Sequence, residues 1–452
     1  MWIVASRRLP ASNWGMTSHS PNEPEFLPDL ERHNMRCGIV HGAFFQMGTA
    51  FADPYAVVPL FLAGFTESRA LIGLIVSLIQ ALTIIPQLAV SRQIRCNPLS
   101  ARPIMLAGIW MRCGVWGIIA LTILLVPHRL SLLLIVFVSL VALYSLGAGF
   151  AVLPFRRIIS ETISPLRRST FLGARVIAGG MLAGLAGMAV KSVLGKETLS
   201  WPGNYGILFA FSFVSLAVAY IAMSCFRFPN ALSSPSSQTL PPLREEVSKA
   251  LKEYPVLKRL ISVRLLSGGL PLALPFLTLY ATKEIGIGLA WVGVFVAAQR
   301  MGAILSNFLW MPLGNRFGTR SVILSGLGAA TVSLAVMIAV ETPTTMAAAF
   351  VLTGSAMSAM VVGFGGYILE LGTREIRPLL FALEGTLLMP LYFMPLLGGW
   401  LVDLCGYRMM IVPSVALVAM AWIAATSLCE PRRGDPACGP AIIQHNVPTK
   451  SP

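Results

Sequence analysis

The chain has 452 residues, of which 56% are hydrophobic and only 12% are charged. Since charged residues make up about a quarter of a typical soluble domain, this composition excludes a protein whose main solvent is water. The net charge is +15, and in a membrane protein such an excess marks the loops that stay on the cytoplasmic side rather than a nucleic-acid partner.

The first 38 residues are polar, contain four prolines and lack an apolar run, so they predict a flexible cytoplasmic tail and not a cleavable signal peptide. Twelve apolar stretches follow. They lie at 39–64, 70–90, 103–126, 131–153, 171–193, 205–226, 260–282, 289–311, 321–341, 345–368, 379–402 and 407–428. Each can cross a hydrocarbon layer of about 30 Å as a helix, which satisfies its own backbone hydrogen bonds there.

A linker at 227–259, rich in proline and serine and then in charge, divides these stretches into two sets of six. The sequence therefore predicts an all-α membrane protein with about twelve transmembrane helices in two six-helix bundles. The first bundle is expected at 39–226 and the second at 260–428, with a cytoplasmic tail at 429–452.

The basic residues are concentrated in every second predicted loop. If both termini are cytoplasmic, 24 of the 34 lysines and arginines fall in cytoplasmic segments and 5 in outer loops. Because basic loops are retained in the cytoplasm, we expect a multi-pass protein of the cytoplasmic membrane with both termini inside.

The seven cysteines include no CxxC pair and have no histidine cluster beside them. This pattern predicts no metal site and no cofactor. Thiols in the membrane or the cytoplasm stay reduced, so we also expect no disulfide.

Two short sequences lie at the ends of predicted helices: LGNRFGTR from Leu313 to Arg320 and GGWLVDLCGYR from Gly398 to Arg408. The first resembles the cytoplasmic signature G-x-L-x-D-R-x-G-x-R of the major facilitator superfamily, with Met311 in place of the leading glycine and Asn315 in place of the aspartate. The other motif is similar to the turn between spans 11 and 12 of that superfamily. The layout of six spans, a basic linker and six more spans is similar as well.

The resemblance implies a secondary transporter of a small solute that works by alternating access around a site between the two bundles. It also implies a cytoplasmic gate formed by Asn315, Arg316, Gly318 and Arg320, in which Asn315 can accept a hydrogen bond from a helix N-terminus but brings no charge.

Glu384 lies near the cytoplasmic start of its apolar stretch. A salt bridge with Arg374 or Arg377 would place it in the same gate. We therefore count Glu384 among the gate residues.

Charged residues within the apolar stretches each need a reason, because one at the bilayer centre costs about 2.5–3.5 kcal/mol to insert. Asp53 lies deep in the first stretch and is followed by Pro54, which should bend the helix. It could exchange a proton during transport, form a satisfied structural kink, or act as the structural partner of a buried arginine. Arg112 and Arg300 lie at mid-depth and could attract Asp53 or an anionic substrate. With Gln299 and Asn307, the polar residues near Arg300, they form the set of candidate substrate or coupling residues.

The sequence contains no Walker loop, catalytic triad or metal-ligand spacing, so we expect no enzyme activity and no ATP-driven transport by this chain alone. It favours a monomeric secondary transporter whose partners are the bilayer, a small solute and, if Asp53 titrates, a proton. The alternative is a receptor or assembly partner that retains the fold without transporting a solute.

The charge bias generates a test of topology. Reporter fusions at residues 240 and 440 should report a cytoplasmic location, and fusions at residues 198 and 343 an external one, because 24 basic residues are then retained inside. Finding residues 240 and 440 on opposite sides of the membrane would contradict the arrangement of twelve spans.

Overall fold

The computed structural model describes residues 28–227, 254–339, 342–371 and 377–431. The described residues form helices joined by short turns, with no strand among them. The helices group into twelve segments, numbered in chain order. Segments 1 to 6 are Pro28–Phe51 with Val57–Leu62, Arg69–Ala81 with Ile85–Cys96, Ala101–Leu125, Leu130–Thr162, Pro165–Leu194 and Gly203–Ser224.

Segments 7 to 12 make up the second half of the chain. They are Val256–Leu266 with Gly269–Leu279 and the π-helical Tyr280–Glu284, Ala290–Leu305 with Asn307–Phe317, Thr319–Ile338, Pro343–Leu371, Arg377–Leu387 with Met389–Phe393 and Met394–Cys405, and Tyr407–Ala425. The short 3-10 turn Pro98–Ser100 joins segments 2 and 3.

Ten helical stretches among the described residues are long and apolar enough to cross a membrane. Segments 1 and 11 are not among these ten, and segment 11 adds a shorter apolar stretch at Met389–Cys405. Twelve helical segments, ten of which have this length and hydropathy, confirm the predicted all-α membrane fold with about twelve helices.

The interruption of segment 1 follows from its sequence. Pro54 has no backbone N–H to continue a helix, and the Asp53 carboxylate accepts hydrogen bonds from the N–H groups of Tyr55 (2.9 Å) and Ala56 (3.0 Å). The side chain thus holds the turn before the next helix, Val57–Leu62, while the backbone carbonyl of Asp53 accepts the N–H groups of Val57 and Val58 (both 3.0 Å) at the start of that helix. A kink at this point was the sequence-based expectation for Asp53 and Pro54.

The expected tail at 1–38 is wrong in its last part, because segment 1 already begins at Pro28. Proline suits the first turn of a helix, and Asp29 and Glu31 in that turn complement the helix dipole. Glu31 is buried and accepts hydrogen bonds from the N–H (2.8 Å) and hydroxyl (2.5 Å) of Ser164. These contacts are polar, so an apolar run could not reveal them.

Three of the predicted regions, the two tails and the linker, lie largely outside the described residues. Residues 1–27, most of the linker (228–253) and the last part of the C-terminal tail (432–452) lie outside the described residues.

The absence of disulfides was wrongly predicted, since Cys429 is disulfide-bonded. Cysteine spacing alone does not tell which thiols the fold brings together.

The two halves pack against each other through segments 5 and 8 and through segments 2 and 11. Glycines allow these helices to approach closely, as is common in membrane bundles. A Cβ atom at Gly187 of segment 5 would stand 2.7 Å from the carbonyl oxygen of Gly293 in segment 8. Gly73 of segment 2 similarly lies against the backbone of Pro395 in segment 11. These contacts lie at the end of the bundle opposite the described termini, here called the distal end.

The start of segment 1 provides a stability test. Asn34 is fully buried, donates to the carbonyl of Arg227 (2.8 Å) and accepts from its N–H (2.9 Å). Asn34→Ala should lower the unfolding free energy by about 1–3 kcal/mol, because it leaves buried backbone groups unpaired. Thermal unfolding in detergent measures the effect, with Arg36→Ala on the exposed face of the same helix as the control. Equal melting temperatures for the two variants would contradict the anchoring role.

Candidate functional site

Asp53 and Arg300 form an ion pair between the two halves of the chain. Arg300 Nη2 in segment 8 lies 2.6 Å from Asp53 Oδ2 in segment 1, and the Asp53 side chain is 1% exposed. Because Asp53 Oδ1 already accepts the N–H groups of Tyr55 and Ala56, both carboxylate oxygens are used. The pair therefore joins the break in segment 1 to the second half.

A cavity of about 290 Å³ borders this ion pair. Segments 1 to 4 line it together with Arg300, and its polar groups include the side chains of Gln46, Thr49, Tyr55 and Tyr144. The Arg300 side chain is 26% exposed, and its Nε atom is buried without a hydrogen-bond partner. Arg300 therefore holds Asp53 with one end of its guanidinium and keeps other donors unused.

The remaining candidate substrate residues lie elsewhere. Gln299 is buried and donates to the sulfur of Met357 (3.3 Å). Asn307 donates to the Ala303 carbonyl (2.7 Å) and accepts from the Ser358 hydroxyl (3.0 Å). Both side chains bond within the second half, and neither contributes to the cavity wall.

Arg112 does not reach Asp53. Its Nη2 atom donates to the hydroxyl of Tyr144 at 2.6 Å, and its guanidinium lies 4.5 Å from the centre of the Tyr144 ring and 5.3 Å from that of Phe45. Phe45 and Tyr144 also line the cavity. Arg112 thus stands behind the aromatic wall of the cavity.

A third arginine, Arg175 of segment 5, lies near His41 of segment 1. Sequence reasoning did not identify it as a candidate. Arg175 Nη2 is 3.3 Å from His41 Nδ1, and its guanidinium lies 4.8 Å from the centre of the Phe155 ring. Arg175 lies near the start of its predicted apolar stretch and was not among the candidate residues. The histidine in segment 1 was the available signal, although the sequence did not pair the two residues.

Asp403 of segment 11 joins the halves at the distal end. Its Oδ1 accepts the N–H of Arg69 (2.8 Å), and its Oδ2 accepts the N–H of Ala70 (2.9 Å) and the hydroxyl of Ser68 (3.2 Å). These donors belong to the start of the helix Arg69–Ala81, where a negative charge is favourable.

Two neighbouring hydrogen bonds reinforce the contact made by Asp403. Arg69 Nε donates to the Tyr407 hydroxyl (2.7 Å), and the N–H of Leu396 donates to the Ser77 hydroxyl (3.1 Å). Asp403 and Tyr407 belong to the motif at Gly398–Arg408 that the sequence singled out. The motif was recognised, but its partner in segment 2 was not.

The expected cytoplasmic gate residues lie where segment 8 ends and segment 9 begins, with Gly318 in the turn between them. Gly318 has a φ of +89°, a left-handed conformation that favours glycine. The N–H of Arg320 donates to Glu430 Oε2 (3.2 Å), and Arg320 Nη2 donates to the Thr426 carbonyl (2.6 Å). Asn315 and Arg316 are exposed. Glu430 thus supplies at the start of segment 9 the charge that Asn315 lacks.

Glu384 is separate from that turn. Its Oε1 atom lies 3.8 Å from Arg264 Nε of segment 7, and its side chain is 15% exposed. The expected partners cannot be compared, because Arg374 and the Arg377 side chain lie outside the described residues. Among the described residues, no group of three or more His, Cys, Asp or Glu could hold a metal ion.

The multi-segment apolar fold, with charged contacts between two halves around an internal cavity, defines a multi-pass membrane protein with a transporter fold. Residues 261–442 match the family model described as Major Facilitator Superfamily. This match confirms the predicted resemblance to that superfamily over the second half of the chain. No curated protein matched the sequence.

Solved structures share this fold at low sequence identity. A D-xylose–proton symporter is 15% identical with a TM-score of 0.68, over 89% of this chain and 98% of that chain. A bacterial homologue of the iron transporter ferroportin in an inward-facing state is 13% identical with a TM-score of 0.65, over 89% of this chain and 99% of that chain. A bacterial homologue of ferroportin in an outward-facing state is 15% identical with a TM-score of 0.59, over 88% of this chain and 99% of that chain.

The contact made by Asp403 generates a conformational prediction. Asp403→Ala should widen the distal end, because three donors of segment 2 lose their acceptor in the other half. Lys196 and Lys283 line a common hollow there, so spin labels at Lys196→Cys and Lys283→Cys, with the other reactive thiols removed, measure the separation. The expected result is a new population at longer distance.

Glu284→Ala is the matched control for this measurement, because Glu284 lies near the same end but pairs with Arg408 of its own half. This control should leave the distance distribution unchanged. An unchanged distribution in Asp403→Ala as well would contradict a role of Asp403 in keeping the halves together.

Proposed function

We propose that this protein is a secondary transporter of a small solute that works by alternating access, with proton exchange at Asp53 coupled to the movement of its two halves. The observation that supports this proposal most directly is the Asp53–Arg300 ion pair, which connects the halves beside the cavity. The family-model match over residues 261–442 and the fold shared with solved transporters support the general class.

The conformation fits one state of such a cycle. Contacts between the halves at the distal end involve Asp403, Ser77 and the glycines of segments 2, 5, 8 and 11. If the termini are cytoplasmic, as the charge bias predicts, the distal end faces outward and is closed.

Protonation of Asp53 gives this arrangement a switch. The neutral acid no longer attracts the guanidinium of Arg300, so the charge-assisted bond between the halves weakens. Arg300 cannot lose its own charge, and it then becomes available to a solute in the cavity. Proton binding and solute binding would in this way both act on the bond that connects the halves.

The transport experiment uses the purified full chain in liposomes. Counterflow of at least one solute from a broad labelled panel is expected, since alternating access permits exchange without a driving force. Failure to exchange any solute, with folded and correctly inserted protein, would favour the non-transporting receptor or assembly partner.

Asp53→Asn tests the coupling. Asparagine keeps the shape and can still accept the N–H groups of Tyr55 and Ala56, but it cannot titrate. Accumulation driven by a pH gradient should be abolished, while counterflow of the same solute persists. The control Glu67→Gln, an exposed acid near the distal end, should retain both activities.

A purely structural role for Asp53 has a different outcome. Removing one partner of a buried pair typically costs about 3–5 kcal/mol, so Asp53→Asn would then lower the melting temperature. Asp53→Asn combined with Arg300→Gln would restore that temperature. Unchanged pH dependence and counterflow in a stable Asp53→Asn protein would contradict the coupling proposal.

A further inference from the structure

Arg112 and Arg175 lie within the first half, and each guanidinium satisfies only part of its hydrogen-bonding capacity. A guanidinium has five N–H donors and no acceptor. Arg112 donates to the Tyr144 hydroxyl and Arg175 to His41. Arg112 Nε and Arg175 Nη1 are buried without a hydrogen-bond partner. Both side chains therefore present unused donors within the protein.

His41 does not neutralise these charges. Its Nδ1 atom lies 3.3 Å from Arg175 Nη2, and because a guanidinium can only donate, Nδ1 must accept. The ring is then neutral, with its proton on Nε2. His41 also lies beside Tyr220, with ring centres 6.1 Å apart, and the Tyr220 hydroxyl is buried without a partner. Phe45 connects Arg112 to this region, since its ring centre lies 5.7 Å from that of His41 and 5.3 Å from the Arg112 guanidinium. Donors from segments 1, 3, 5 and 6 therefore lie close together here.

Glycines make room for both arginines. A Cβ atom at Gly42 of segment 1 would stand 2.7 Å from Arg175 Nε, and one at Gly147 of segment 4 would stand 2.9 Å from Arg112 Cγ. Both distances are too short for ordinary contacts. Each arginine therefore lies across a glycine of a neighbouring helix, a placement that a larger residue would prevent.

The acids of the first half are engaged elsewhere. Five of the six acids at 28–227 bond to other groups, in the pairs Asp29–Arg32, Glu31–Arg167, Asp53–Arg300, Glu67–Arg69 and Glu161–Arg157. The sixth, Glu197, lines the hollow at the distal end. Among the described residues, no carboxylate forms an ion pair with Arg112 or Arg175. Within that part of the chain, their two positive charges lie in an apolar bundle without a protein counter-ion.

Aromatic rings stabilise the two cations only in part. The faces of Phe45 and Tyr144 attract Arg112, and those of Phe155 and Phe171 attract Arg175. A ring face accepts no conventional N–H hydrogen bond along the guanidinium edge, where arginine recognises carboxylate or phosphate. The unused edges match a ligand with several negatively charged oxygen atoms.

We propose that Arg112, Arg175 and His41 form a binding site for a small oxyanion, a solute bearing a phosphate, sulfate or carboxylate group. The arginines supply charge and hydrogen bonds, and His41 orients Arg175. This inference rests on the proposed transport function, since it names the substrate class, and it places the anion next to the aromatic wall shared with the cavity.

The test measures binding to the full chain in zwitterionic detergent at constant ionic strength set with choline chloride. The probes are inorganic phosphate, sulfate and succinate, with glycerol as the neutral comparison. At least one anion should raise the melting temperature saturably and bind in titration calorimetry, whereas glycerol should not. Arg112→Gln and Arg175→Gln should each weaken binding at least 10-fold, and Arg129→Gln, an exposed loop arginine, should leave it unchanged.

Gly42→Ala serves as a second variant, because it displaces Arg175 while keeping every charge; it should weaken anion binding as well. If either arginine variant fails to fold, Arg112→Lys and Arg175→Lys retain the charge, and weaker binding by the stable lysine variants supports recognition by the guanidinium edge. Unchanged affinity in folded arginine variants would overturn the proposal. Stabilisation by phosphatidylglycerol but by no soluble anion would also overturn it, since the site would then hold a lipid headgroup.

This inference and the proposed function fail in different ways. Counterflow of a neutral or cationic solute that persists in Arg112→Gln and Arg175→Gln, without anion binding, would overturn the oxyanion site and leave transport intact. Anion binding that depends on both arginines, without counterflow of any solute, would support the site and contradict transport.

Discussion

The ion pair between Asp53 and Arg300 is the interaction on which the arrangement depends. It links the break in segment 1 to segment 8, and the same carboxylate accepts the N–H groups of Tyr55 and Ala56 in the turn before the helix Val57–Leu62. Charges within a bilayer are costly unless they are paired. The pair therefore offsets the cost of placing both charges in the membrane, but only while the halves remain in contact at this point.

This dependence makes the contact conditional rather than permanent. The apolar contacts between the halves include close helix approaches at glycines, which separate without leaving charges unpaired. The polar contacts concentrate at Asp53 and Asp403. A change of charge at one carboxylate can therefore alter how the halves meet, whereas the interior of each half is held by large buried aromatic side chains such as Phe61, Phe209 and Phe295.

The sequence predicted the fold well because hydropathy and charge are properties of single segments. The number of helices, the kink at Asp53 and the proximity of a buried arginine could all be read from local patterns. The partners of Arg175, Asp403 and Glu384 could not, since each depends on which helix faces which across the bundle. The early start of segment 1 escaped for a similar reason, because Glu31 and Asn34 are buried by polar contacts from distant residues.

The central claim is that the two halves rock around the ion pair, so that one end of the protein opens as the other closes. Single-molecule fluorescence transfer in lipid can follow both ends, with dyes at Lys196 and Lys283 for the distal end and at Arg36 and Lys258 for the opposite end. The account predicts two exchanging states whose distances change in opposite directions, with the state closed at the distal end depleted by Asp53→Asn. Distances that stay fixed, or ends that open together, would contradict alternating access.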